Sequence, residues 1–218
     1  MAIAIDTTTT PWSRVNAWTT MTVSHTCTWT NRAIVVNVGT DWNKVSWVTY
    51  AWVSLTLVWS YTADGSGNWT TCWVLANPAS WANNVVITTS VSAIIMCEIV
   101  SYNWVDQWSP VWSSITNWPI STGAFAQVVT TGTNNSWLVM CWKGRSWNAI
   151  TAGSNTYIRV NIELLFTWLF IADSNAAQTP TGSYTLNISS AAQEFNGNMF
   201  ELKPSATSTV NSSFLAFM

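Results

Sequence analysis

Hydrophobic and polar residues alternate with a period of two along much of the chain. In Thr20–Cys27 and Val53–Val58, apolar residues mostly alternate with residues that carry hydroxyl groups. Such alternation is typical of strands with one buried face and one exposed face. Val85–Thr88 and Ala93–Cys97 are instead nearly continuous apolar runs, as expected for central strands covered on both faces. No segment shows the 3.6-residue period of an amphipathic helix.

These patterns predict a single all-β domain. Strands are expected at 20–27, 32–39, 44–50, 53–61, 70–76, 83–90, 94–103, 123–131, 136–143, 156–163, 165–171, 182–189 and 194–203. Turn residues recur about every 8–12 residues, which favours one antiparallel β-sandwich of the jelly-roll or concanavalin-like kind with about 12–13 strands. We expect the sandwich to occupy residues 1–204, with 205–218 as a C-terminal tail, and Gln107–Thr122 to form a long loop that contains Pro110 and Pro119.

Tryptophan occupies positions where hairpins usually carry glycine. The chain has 18 tryptophans and only 9 glycines. A tight hairpin turn needs a positive φ, which glycine adopts freely and which costs a residue with a Cβ atom about 1–2 kcal/mol. We therefore expect turns, low burial and several positive φ angles at Trp42, Trp52, Trp69, Trp81 and Trp104. The inference is that many tryptophans stand for glycine, as would follow from a UGA codon that the source organism reads as glycine.

Charge is nearly absent. Charged residues make up 7% of the chain and the net charge is −2, with no basic or acidic run, so neither nucleic acid nor an anionic membrane surface is expected as a partner. Low charge favours association with copies of the chain or with other structural subunits. The apolar runs are shorter than the roughly 18 residues of a membrane span, and Met1–Asp6 has no signal-peptide features. We expect a virion or an extracellular surface as the location.

The cysteines are expected to be buried. Cys27, Cys72, Cys97 and Cys141 all lie in apolar, strand-like segments. They are interpreted as small core side chains, with one or two disulfides as the alternative, since spacing alone does not pair them. With one histidine and no CxxC motif, neither a zinc site nor any other cofactor is expected.

One short segment resembles half of a binding loop. If glycine stood at Trp69, Asp64–Trp69 would match the first half of a calcium loop, but Leu75 occupies the position of the bidentate acid. A hairpin tip explains the same residues without an ion. The candidate ligand-binding residues are Asp64, Ser66 and Asn68 of this segment, together with Trp73 and Trp137.

Catalytic residues are not indicated. His25 is placed on the polar face of its strand beside Ser24 and Thr26, as a structural or exposed histidine. Glycoside hydrolysis needs two carboxylates at one cleft. Glu98 and Glu163 are the acids inside predicted strands, and no sequence signal links them. The sequence therefore predicts a protein that is not an enzyme.

With glycine at the suspect tryptophans, the chain resembles an uncharacterised, lectin-like β-sandwich module of bacterial surface proteins and predicted phage proteins. The segments that carry the resemblance are Asn31–Val36, Val45–Val58, Cys72–Pro78, Val85–Thr88, Ser101–Gln107 and Phe200–Pro204. The resemblance spans nearly the whole chain except about 108–160, and it rests on strand and turn patterns. It implies that Trp73 is a genuine tryptophan and Trp137 another, and it implies no reaction.

Three functions are compatible with the sequence as hypotheses. The first is a non-enzymatic structural or adhesive β-sandwich of a phage particle or bacterial surface, which would bind subunits or a cell-surface receptor. The second is a carbohydrate-binding module, because exposed indole rings stack on sugars while Asn and Ser side chains bind hydroxyl groups. The third is a glycoside hydrolase of lectin-like fold, which requires Glu98 and Glu163 to face one groove.

Overall fold

The structure is a computed structural model that describes residues 2–11, 15–41, 45–58, 62–63, 68–120, 125–145, 150–164, 167–189 and 194–206. These residues form antiparallel β-sheets, which confirms the all-β prediction. The strands are β1 Ala4–Thr9, β2 Val15–Cys27, β3 Ala33–Asp41, β4 Val45–Tyr50, β5 Val53–Ser54, β6 Thr56–Leu57, β7 Thr62–Ala63, β8 Asn68–Ala76, β9 Trp81–Asn103, β10 Val111–Ile120, β11 Phe125–Thr130, β12 Trp137–Arg145, β13 Thr151–Ala152, β14 Tyr157–Leu164, β15 Thr167–Asp173, β16 Ser183–Ser189 and β17 Glu194–Leu202. Over the described ranges there is no helix, and so none that could cross a bilayer.

The strands form three sheets. The nine-stranded sheet runs in the order β5-β4-β9-β3-β8-β6, with β1 and β2 also paired to β9 and β7 paired to β8. The five-stranded sheet runs β10-β17-β12-β15-β14, and the three-stranded sheet runs β11-β16-β13. The structure therefore contains more sheets than the two of a simple sandwich.

The strand β9 organises the largest sheet. It is 23 residues long and replaces the two separate strands predicted at 83–90 and 94–103. Its first half pairs with β2 and β4, for example at Ile87 with Met21 and Val48. Its second half pairs with β3, where Val35 lies opposite Val100. The single strand β9 thus joins the part of the sheet formed by β2 and β4 to the part that contains β3.

The core consists of three main apolar layers. The first layer is enclosed by the nine-stranded sheet and contains Val36 and Ile99. The second layer lies between the nine- and five-stranded sheets, where Val35 packs in the same cluster as Phe200. A third layer lies between the five- and three-stranded sheets, with Trp142 among its members. Strands β3 and β12 carry near-continuous apolar sequences because apolar layers cover both of their faces.

The loop predicted over Gln107–Thr122 is wrong for most of its length. Val111–Ile120 is strand β10, which pairs with β17 at the edge of the five-stranded sheet. Proline is tolerated on an edge strand because its missing N–H removes no ladder bond on the open side. The register also shifts between Asn117 and Ile120, around Pro119. Reading proline as a loop signal overlooked the edge position.

The turn predictions for tryptophan are largely confirmed. Trp52, Trp81 and Trp104 lie at strand ends or turns with φ of 68°, 75° and 61°. The turn predicted at Trp69 is wrong, because Trp69 lies within β8 and pairs with Thr40. Trp42 lies outside the described residues, as does the tail from residue 207 onward.

Candidate functional site

Of the five predicted ligand residues, the structure describes Asn68, Trp73 and Trp137. Asp64 and Ser66 lie outside the described residues, and Asn68 begins β8 opposite Asp41. Trp73 is 6% exposed in the first apolar layer, where its Nε1 donates a hydrogen bond of 2.8 Å to Thr71 Oγ1. Trp137 is also 6% exposed but belongs to the second layer. Both indole rings are therefore core side chains, and they belong to two different apolar layers.

Trp137 is one wall of a buried ionic cluster. The Arg159 guanidinium lies 5.6 Å from the centre of the Trp137 ring and 4.4 Å from that of Tyr157. It binds the fully buried carboxylate of Asp173, to which the Tyr102 hydroxyl also donates at 3.2 Å. Burial raises the pKa of Asp173, and the neighbouring guanidinium counteracts this effect. The cluster ties β14 and β15 to β9, which is a structural role.

His25 lies on the inward face of β2. It is 2% exposed, and it shares that face with Met21 and Val23 rather than with Ser24. Placing it on the polar face was wrong, because the two-residue period of the strand puts it inward whatever its chemistry. Burial lowers the pKa of His25 to about 4, with Asp6 opposing the shift. The imidazole is therefore neutral at neutral pH.

Hydroxyl groups enclose the imidazole. Thr9 Oγ1 lies 2.8 Å from His25 Nδ1, and Thr7 Oγ1 lies 3.3 Å from Nε2. Thr7 also binds Ser101, whose hydroxyl donates to Asp6 at 3.0 Å. Although serine, histidine and aspartate meet here, Ser101 is fully buried and its hydroxyl binds Asp6 rather than the imidazole. The cluster thus fastens β1 to β2 and β9.

The two acids required for glycoside cleavage face different surroundings. Glu98 is fully buried, accepts a hydrogen bond of 2.8 Å from Thr10 Oγ1, and has its pKa raised to about 8 by burial. Glu163 is exposed on β14. Because a substrate in a solvent-filled groove could reach only one of these carboxylates, the arrangement does not supply the pair that glycoside hydrolysis uses.

A groove of about 530 Å³ opens beside the start of β10. Its walls are Thr56–Val58, Val74–Ala76 and Trp108–Trp112. Trp108 is 98% exposed and Trp112 is 65% exposed, so two indole rings border an apolar depression. Such a surface can stack on a flat apolar ligand face, including the face of a sugar ring.

The turn before β10 is held by side-chain caps. Asp106 Oδ1 accepts hydrogen bonds from the backbone N–H groups of Trp108 at 2.8 Å and Ser109 at 3.1 Å. The Lys203 ammonium lies 5.5 Å from the centre of the Trp112 ring. The sequence interpretation missed this groove because it treated 107–122 as an end loop. The available signal was a pair of tryptophans on either side of Ser109-Pro110.

Few of the charged side chains that the structure describes are exposed. Among the Asp, Glu, Lys and Arg side chains that the structure describes, Glu163 alone is exposed. The other acids bind groups within the fold: for example, Glu201 accepts from the backbone N–H groups of Gly132 and Thr133 at 2.8 and 2.9 Å. Lys143 is 3% exposed and donates to the Thr40 carbonyl at 2.9 Å. The charged groups therefore serve mainly inside the fold.

Within the described part of the chain, no group of three His, Cys, Asp or Glu side chains could hold a metal ion. Comparison of the chain with protein-family models, with curated proteins and with solved structures gave no match.

Proposed function

We propose that this protein is a non-enzymatic structural or adhesive subunit of lectin-like, jelly-roll character, located in a phage particle or on a bacterial surface. The observation that carries the proposal is that, among the Asp, Glu, Lys and Arg side chains whose burial the structure describes, Glu163 alone is exposed. Its partners would be copies of itself, other structural subunits or a cell-surface receptor.

A surface with few exposed charges favours close association. Proteins that carry a large net charge of one sign repel each other, and a net charge near zero removes this repulsion. An interface between uncharged threonine, serine and asparagine side chains also avoids the cost of removing ions from water. The outward positions of β2 carry such residues, with Thr20, Thr22 and Ser24 exposed. Subunits of a dense layer or shell benefit from both properties.

The internal use of charged side chains supports the same proposal. Asp173 binds Arg159, Glu201 caps two backbone N–H groups, and Asp6 accepts hydrogen bonds from Thr28. These contacts fix strands and turns without leaving the carboxylates free for acid–base chemistry on a ligand. Charged side chains that bind within the fold suit a subunit that associates through uncharged side chains.

Fractionation of the source culture tests this proposal. Released particles and cell envelopes would be separated on a density gradient, and the chain would be quantified by mass spectrometry in every fraction. We expect it in the particle or envelope fractions at high copy number, and we expect it to remain there after a high-salt wash. Recovery only in the particle-free soluble fraction would contradict the proposal.

A second candidate function is carbohydrate binding at the groove beside β10. The specific observation in its favour is the pair of exposed rings of Trp108 and Trp112 beside that groove. A glycan array with the recombinant chain would test it, using Trp108→Ala and Trp112→Ala as loss variants. Trp47→Ala is the matched control, because Trp47 is 54% exposed on β4 and does not line the groove. Absence of binding across a broad array would remove this function.

A further inference from the structure

Four tryptophans adopt the left-handed backbone conformation that favours glycine. The φ angle is 39° at Trp29, 68° at Trp52, 75° at Trp81 and 61° at Trp104. The other non-glycine residues with positive φ among the described residues are five asparagines and one alanine. Asparagine tolerates this region because of its short polar side chain, whereas a bulky aromatic residue there is an outlier.

The turn at Trp52 shows why a Cβ atom does not belong there. Ala51 and Trp52 form a two-residue hairpin connection between the paired residues Tyr50 and Val53, and both have positive φ. Positive φ at both central positions defines the type I′ turn, whose second position strongly prefers glycine. The Trp52 side chain is 94% exposed, so no packing of the indole ring offsets the unfavourable backbone.

Two of the other three tryptophans are also highly exposed. Trp29 is 70% exposed and Trp81 is 78% exposed. Trp104 is partly buried and follows Asn103, so that glycine at this position would give the Asn-Gly pair of a tight turn. The backbone at these positions fits a residue without a side chain.

A second group of tryptophans differs in backbone conformation and is more deeply buried. Trp73, Trp137, Trp142 and Trp168 lie within strands, and their exposures are 6%, 6%, 0% and 8%. None of the four has a positive φ. Removing any of these rings would leave a large cavity in an apolar layer.

We propose that the natural protein carries glycine at positions 29, 52, 81 and 104 and tryptophan at positions 73, 137, 142 and 168. The two groups would correspond to two codons: UGA, which the source organism reads as glycine, and UGG, which specifies tryptophan. The division follows from backbone conformation and burial, and it assigns each of the eight positions separately.

The gene and the native protein together test this assignment. Sequencing should find UGA at the four positive-φ positions and UGG at the four buried positions. Peptide mapping of the chain isolated from its source should show each UGA-encoded position lighter by about 129 Da, the difference between tryptophan and glycine in elementary composition. UGG codons at positions 29, 52, 81 and 104, or peptides with the tryptophan mass there, would overturn the proposal.

Recombinant variants give an independent readout. Trp52→Gly should raise the melting temperature of the tryptophan-containing chain, whereas Trp52→Ala should give a smaller gain because it keeps the Cβ atom. Trp137→Gly is the matched control and should lower the melting temperature by many degrees, because Trp137 is buried against Tyr102 and Arg159. A Trp52→Gly variant that melts at or below the temperature of the parent would count against glycine at that turn.

A separate observation concerns two cysteines. Cys72 on β8 and Cys141 on β12 are free thiols, fully buried in the second apolar layer, and Cys72 Sγ donates a hydrogen bond of 2.7 Å to Cys141 Sγ. The two sulfur atoms are thus closer than the about 3.5–4.0 Å at which non-bonded carbon atoms pack. The two residues belong to different sheets. We infer that Cys72 and Cys141 form a disulfide that links the nine-stranded sheet to the five-stranded sheet.

The bond forms by thiol–disulfide exchange with a small-molecule disulfide before the core closes. The two thiols lose two protons and two electrons, one S–S bond forms, and the small-molecule disulfide is reduced to two thiols. To test this, the chain would be refolded in a mixture of oxidised and reduced glutathione, unfolded, alkylated and weighed. We expect two alkylated cysteines and a cross-linked peptide that joins Cys72 to Cys141.

Variants identify the pair. The Cys27→Ser, Cys97→Ser double variant should leave no alkylatable thiol after oxidative refolding, whereas Cys72→Ser should leave all three remaining thiols open to alkylation. Four alkylated cysteines in the parent chain after oxidative refolding would overturn the inference, as would a cross-link between any other pair.

Discussion

Arg159 and Asp173 form a two-point ion pair in which Nε donates to Oδ2 at 2.7 Å and Nη2 donates to Oδ1 at 2.8 Å. The side chains are 11% and 0% exposed. The rings of Trp137 and Tyr157 lie close to the guanidinium, so the pair is largely shielded from water. Each of the two buried charges is therefore stabilised mainly by the other.

Arg159→Met should therefore destabilise the fold markedly. Removing one member of a buried ion pair leaves the other charge without compensation, which typically costs about 3–5 kcal/mol. Chemical denaturation of parent and variant measures the change in the free energy of unfolding. Lys203→Met is the control, because Lys203 lies 3.8 Å from a partly exposed Asp106 and such a pair contributes about 0–1 kcal/mol. Equal losses in the two variants would contradict the assigned role of Arg159.

The sequence was informative for several strands with a strong apolar pattern. It was wrong for the single strand predicted at 53–61, where the structure has the two short strands β5 and β6 and residues 59–61 lie outside the described part. Strand β15 was predicted at 165–171 and is found at Thr167–Asp173, and β16 was predicted almost at its observed bounds. Strand β1, Ala4–Thr9, was missed because half of its residues are threonines and it lacks a strong apolar pattern. It is held by polar contacts such as that of Thr7 with Ser101. Local hydropathy does not record contacts of this kind.

The number of sheets could not be predicted from the local hydrophobic pattern either. A two-residue period shows which residues share a strand face, but it does not show which other strand covers that face. Val35 and Val36 on β3 belong to two different apolar layers, and only the tertiary pairing reveals the second sheet that covers Val35. The groove at Trp108 likewise depends on β8 and on the segment 56–58, which are distant in sequence.

Acid should destabilise the protein through His25. Its pKa is lowered from 6.5 to about 4 in the folded state, so the unfolded state binds a proton first as the pH falls. The stability contributed by the neutral imidazole is present above pH 6.5 and is lost as the pH falls through about 4, with a total of about 3 kcal/mol. Urea titrations at several pH values measure this slope, and His25→Gln should reduce it. An unchanged slope in that variant would exclude His25 as its source.

Glu98 should produce the opposite dependence at higher pH. Burial raises its pKa from 4.5 to about 8, so the unfolded state releases its proton first as the pH rises. The stability contributed by the protonated carboxyl is present below pH 4.5 and is lost as the pH rises through about 8, by about 5 kcal/mol. Glu98→Gln keeps a neutral side chain of similar size and should flatten the curve between these values. If parent and variant lose stability in parallel over this range, Glu98 is not the responsible group.

Gly197 should not tolerate even one additional carbon atom. It lies in β17 opposite Trp142, and a Cβ atom there would come within 2.3 Å of the Cys141 carbonyl oxygen and 2.8 Å of Trp142 Cα. Because these are backbone atoms of a central strand, relief requires the two strands to move apart. Overpacking of this kind costs about 1–3 kcal/mol or more, and we expect Gly197→Ala to lose at least that amount in the free energy of unfolding.

Gly182 provides the matched control for that substitution. A Cβ atom at Gly182 would have no neighbour within 4 Å, and the residue has no positive φ. Its backbone N–H, which donates to Thr131 Oγ1 at 3.1 Å, remains available in alanine. Gly182→Ala should therefore be neutral or gain about 0.4–1 kcal/mol by restricting the unfolded chain. Comparable destabilisation in the two variants would show that the close approach of β17 to β12 is not what requires glycine at position 197.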